Sequence, residues 1–112
     1  FYTPVIVASH DFLDSDPDTA KAFMSATAKG YEFAAQNPSQ AAEILVKHVP
    51  ELSPDLVKKS QEYLAQQYMG EKSAWGAIDE ERWSAFYGWM FEQGLIPREL
   101  GNEGFTNEYL PQ

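Results

Sequence analysis

Cysteine is absent from the 112 residues, which excludes disulfides, thiolate metal ligands and a cysteine nucleophile within the chain and leaves every redox compartment open. Positive charge is scarce. Eight Lys and Arg stand against 17 Asp and Glu, a formal net charge of −9, and the acids are spread along the chain instead of forming a tail. Such a surface repels phosphate backbones, so nucleic acid is not an expected partner. Histidine occurs only at His10 and His48, with no second histidine at ligand spacing, and no DxDxDG loop is present. No metal site and no cofactor are expected. The glycines never fall into GxGxxG or GxxxxGKS/T, which excludes a P-loop within the segment. There is no twenty-residue apolar run and no leader-like N-terminus. What is plentiful is ring surface: aromatic residues make up 14% of the chain, and large flat side chains need a core or a ligand.

Helix starts carry one repeated device, a capping residue followed at once by proline: Asp16-Pro17, Asn37-Pro38 and Ser53-Pro54. The first residue offers a side-chain acceptor, and proline presets φ where its missing N–H does no harm. Helices are therefore expected over 17–36, 38–48 and 54–69, the last closed by Gly70. A fourth, over 80–93, is capped by Asp79 and stopped by Gly94. Their apolar stripes predict inward faces. These are Ala20, Phe23, Met24, Thr27, Tyr31 and Ala34 on the first helix; Ala41, Ile44, Leu45 and His48 on the second; Leu56, Val57, Ser60, Tyr63, Leu64 and Tyr68 on the third; and Trp83, Phe86, Tyr87, Met90 and Phe91 on the fourth. Gly30 interrupts the first stripe, and a close helix crossing is the expected compensation. Residues 94–112 are too rich in Gly, Pro and Asn for a long helix and read as an irregular aromatic tail.

The opening FYTPVIVAS is different in kind. Val5, Ile6 and Val7 form a β-branched run of the type buried on both faces of a sheet, and residues 1–9 read as a single strand. One strand cannot satisfy its own backbone groups. With a start at Phe1 and helices everywhere else, the expectation is a mainly α unit, residues 1–112, that is a piece of something larger or borrows strands from a second copy.

No constellation for chemistry emerges. Ser9-His10-Asp11 are neighbours in sequence, but a triad is defined by geometry, and His48 suits the negative end of its helix dipole. The dispersed glutamates read as a solvated face. Trp75, in the connector GEKSAWGAI between small residues, and Trp89, off the fourth stripe, are the aromatics available for recognition. No catalytic residue is assigned, and the chain is not expected to be an enzyme.

The order of pieces carries more. TPVIVAS followed by DFLDSDPDTAKAFMSATAKGYEFAAQNPSQAAEILVKHVPELSPDLV resembles the C-terminal part of solute-binding proteins of ABC importers. WGAIDEERWSAFYGWMFEQGLI and the closing GFTNEYLP are similar to the NMT1/THI5-like subgroup, which is related to binding of the thiamine-precursor pyrimidine. The resemblance implies a fragment of the two-lobed α/β periplasmic-binding-protein type II fold, with Val5 to Ala8 returning to a first lobe supplied by an N-terminal part outside this segment. It also implies a small heteroaromatic or related solute held between the lobes, an ABC permease as partner and an extracytoplasmic location, periplasmic or lipid-anchored. Tyr2 and Thr3, at the entry of the returning strand, would offer the ligand a ring and a hydroxyl, with Trp75 as a third contact. Two other readings compete: a pyrimidine-synthesising enzyme on the same fold, marked by a histidine and clustered cysteines upstream, and a free-standing helical domain that dimerises by strand exchange. An isolated segment would leave its stripes uncovered, so self-association is expected of it.

Overall fold

The computed structural model describes residues 2–70 and 75–111. Phe1, Gln112 and the stretch 71–74 of the connector lie outside the described residues. Five helices follow in order: α1 (His10–Ser15), α2 (Pro17–Gln36), α3 (Pro38–His48), α4 (Pro54–Ala65) and α5 (Glu80–Glu92). The architecture among the described residues is mostly helical, and the expected N-terminal strand is not seen. Residues 2–9 run without ladder partners, leaving Val5, Ile6 and Val7 at 49%, 50% and 83% exposure. A strand exists only through hydrogen bonds to a neighbour, and no described residue supplies one.

Helix α1 was not anticipated. Ser9 caps it by accepting from the Phe12 N–H at 3.2 Å, and Asp11 lies in its first turn. The Ser9-His10-Asp11 run is therefore a helix start. Asp16 caps α2 through the Thr19 N–H, and Asp79 caps α5 through the Arg82 N–H at 2.9 Å. Asn37 and Ser53 stand at the starts of α3 and α4 without a side-chain cap. Instead Asn37 turns back, its Nδ2 donating to the Phe33 carbonyl at 3.0 Å, and so closes the end of α2.

Helix α4 ends at Ala65, short of the expected Met69. The chain tightens into turns in which the Gln67 and Tyr68 N–H groups share the Leu64 carbonyl, and Gly70, at φ +56°, follows these turns. Helix α5 ends as its glycine implies: Gly94, at φ +69°, donates to Phe91 and Leu95 donates to Met90, the paired bonds of a Schellman motif.

The inward faces differ from the stripes. Helices α3 and α4 pack on each other and both touch α2, while α1 lies against α2. Among the described residues the buried ones are alanines, Ala20 and Ala28 on α2 and Ala42 on α3, and α4 has none. Phe23, Leu56 and Tyr63, assigned inward by periodicity, are 58%, 67% and 68% exposed, and Ile44, Leu45 and His48 also face out. A stripe marks the apolar side of a helix, and here much of that side meets no other part of the chain. Nor is Gly30 at a crossing, since nothing stands within 4 Å of where its Cβ would be.

Size confirms how open the packing is. The radius of gyration is 17.0 Å, against about 13 Å for a compact chain of this length. The accessible surface is 8544 Å², against about 6,200 Å² for a folded monomer of this mass. Among the described residues no large side chain is fully buried.

Candidate functional site

The backbone of α5 comes close to none of the other four helices. It is held instead by the leading segment and the tail. The Tyr2 hydroxyl accepts the Asp79 N–H at 3.0 Å, across 77 positions of sequence, and the Arg82 guanidinium lies 5.4 Å from the centre of the Tyr2 ring. From the other side Asn107 grips Ile78 twice, its Nδ2 donating to the Ile78 carbonyl and its Oδ1 accepting the Ile78 N–H, both at 2.9 Å. One side-chain amide thus replaces a ladder neighbour for one residue. Trp83 completes the corner: its indole N–H donates to the Glu103 carbonyl at 2.9 Å, and its rings lie 5.0 Å from Phe105 and 4.7 Å from Tyr87.

Two turns let the tail approach so closely. Gly76, at φ +90°, leaves 3.1 Å between the place a Cβ would occupy and Leu110 Cδ2. Gly104, at φ +92°, faces Trp83 at 3.6 Å. Outside this corner Arg98 and Glu103 form a bidentate pair at 3.1 and 2.7 Å, both more than half exposed. The hydrogen bond from Arg98, and then its charge, hold the Glu103 carboxyl below the usual carboxylate range, and the same pairing raises Arg98.

The three residues chosen from sequence are separated. Tyr2 is half-buried against α5, Thr3 beside it is exposed, and Trp75 sits elsewhere. The Trp75 indole is stacked on Tyr31 of α2, with centroids 4.5 Å apart and planes at 14°, and Tyr68 meets Tyr31 edge-on at 5.0 Å. No ring contact or hydrogen bond joins Trp75 to Tyr2 or Thr3. Tyr68 donates to Gln61 Oε1 at 3.1 Å, leaving the buried Gln61 Nε2 without a partner.

The hollow between Tyr2, Arg82, Trp83, Phe86 and Tyr87 measures about 20 Å³, room for one water. A groove of about 400 Å³ lies between α3 and α4, lined by Ala42, Val46 and Pro54 and by the charged Glu43, Lys47 and Lys58. None of the three chosen residues reaches it. Among the described residues no three His, Asp or Glu side chains gather as a metal site would require.

Residues 1–41 match the family described as NMT1/THI5 like. That span holds Tyr2, Thr3, the Val5-Ile6-Val7 run, α1, α2 and the Asn37-Pro38 start of α3. The chain is also 23% identical, over 90 residues, to the formylaminopyrimidine-binding protein of Halalkalibacterium halodurans. That alignment covers 77% of this chain and 27% of the relative, so the chain spans about a quarter of that protein's length. No described helix is long and apolar enough to cross a membrane.

Sequence reasoning passed over Asn107 and Arg82, two of the residues that build the corner at α5. Asn107 sits within the quoted FTNEYLP, yet its partner Ile78 is 29 positions away and nothing local announces it. Arg82 follows its cap by three residues, the position where a glutamate would have been noticed.

Proposed function

We propose that this chain is the C-terminal segment of an extracytoplasmic solute-binding protein serving an ABC importer. The whole protein captures a small pyrimidine-like heteroaromatic between two lobes and hands it to a permease. The observation that carries the reading is the uncovered apolar surface: among the described residues alanines alone are buried, while Val5, Ile6 and Val7 stand open. A segment whose other contacts lie in a first lobe would look like this, and the relative's name supplies the class of solute. Lobe closure around the ligand is then the mechanism. Of the three candidate contacts, Thr3 is exposed with its hydroxyl disengaged, and we assign it to the ligand. Tyr2 and Trp75 are already engaged, Tyr2 with Asp79 and Arg82 and Trp75 with Tyr31.

The test is titration of the full-length protein with a formylaminopyrimidine while following tryptophan fluorescence. A saturable change is expected, and none at millimolar ligand would sink the proposal. The mass of the isolated segment across a concentration series separates this reading from a free-standing helical domain. Concentration-dependent self-association without a sharp thermal transition is expected of a segment, whereas a well-defined dimer that melts cooperatively favours the independent domain.

A further inference from the structure

A helix N-cap normally completes its box locally. The cap side chain takes the N–H of the third helical residue, and a glutamate or glutamine at that position reaches back to take the cap's own N–H. In α5 the first half is present, since Asp79 Oδ1 accepts the Arg82 N–H. The second half cannot come from the same place, because Arg82 carries donors and no acceptor. The acceptor on the Asp79 N–H is the hydroxyl of Tyr2, and Arg82 spends its side chain on the face of that same ring.

We propose that Tyr2 is the remote member of a split capping box, a latch that makes the leading segment and α5 one mechanical piece. It is a positioning residue. The site accepts one partner, the phenol at the head of the segment, because an acceptor must sit on the cap N–H while a ring lies under the guanidinium. On the solute-binding reading, which this deepens, the latch fixes how the segment between the lobes is seated. Loosening it leaves fewer molecules in the competent arrangement and weakens apparent affinity in proportion.

The experiment uses the full-length protein and two variants, Tyr2→Phe and Tyr2→Phe with Arg82→Glu, followed by amide hydrogen exchange and formylaminopyrimidine titration. Tyr2→Phe keeps a ring for Arg82 and removes the acceptor. It should speed exchange at Asp79 about tenfold and leave Arg82, protected by the Asp79 carboxylate, unchanged. Unchanged exchange at Asp79 overturns the latch. Arg82→Glu restores a local box and should return Asp79 to slow exchange while the segment stays free, so affinity should remain severalfold weaker than in the parent. Recovery of affinity together with protection would reduce Tyr2 to a cap and overturn its positioning role. Should the parent bind no formylaminopyrimidine, the functional reading fails, and exchange at Asp79 still decides the latch.

Discussion

Helices α2 and α3 carry the buried side chains, all alanines, whereas the corner at α5 is fastened by rings and by hydrogen bonds that cross 20, 29 and 77 positions of sequence. Alanine contacts bring helix backbones together with little specificity of angle and little apolar area buried. The α5 corner has no fully buried residue on its helix but is pinned by named donors and acceptors. Stability in the first region should thus respond to backbone propensity, and in the second to single polar atoms.

The sharpest way to break that contrast is Asn107→Ala in the full-length protein. It strips both partners from the Ile78 backbone and should cost about 2 kcal/mol in denaturant unfolding. A loss comparable to an exposed surface substitution would mean that the amide grip is incidental. Smaller and opposite in sign is Gly30→Ala. With nothing within 4 Å and ordinary helical φ, the methyl is free to stand, and α2 should gain up to about 1 kcal/mol. Destabilisation there would reveal a contact that the full-length protein makes at Gly30. The smallest effect belongs to Arg98→Ala. The pair is exposed, and its contribution is expected to fall within the error of a thermal melt near neutral pH. Since Glu103 is depressed in the folded state, whatever the pair contributes is present above the unfolded carboxyl range and fades as pH falls through the folded value. An NMR titration of the Glu103 carboxyl in the parent and in Arg98→Ala checks that sign, the removal of Arg98 returning it upward.

Local chemistry was readable in the sequence, and non-local chemistry was not. The Asp16-Pro17, Asn37-Pro38 and Ser53-Pro54 pairs stand where α2, α3 and α4 begin, because proline at the first helical position acts on its own residue and the one before it. Asn37 shows the limit even there: its side chain had two helix ends within reach and took the carbonyl behind it. The stripe on α4 misassigned Leu56 and Tyr63 because periodicity reports an apolar side and not what covers it. Val5 to Ala8 read as strand for the same reason, from a propensity that only a neighbour can realise. Tyr2 and Thr3 were chosen from the sequence for their position at the head of the segment. The partners that define Tyr2, Asp79 and Arg82, lie most of the chain away.

The bond from Tyr2 to Asp79 also decides how the molecule bears load. A pull applied at residues 2 and 111 travels from the phenol straight into the start of α5 and on through the Asn107 grip, so α1 to α4 hang beside the line of force as a slack loop. One hydroxyl-to-amide bond, backed by Arg82 over the same ring, thus stands between such a pull and α1 to α4.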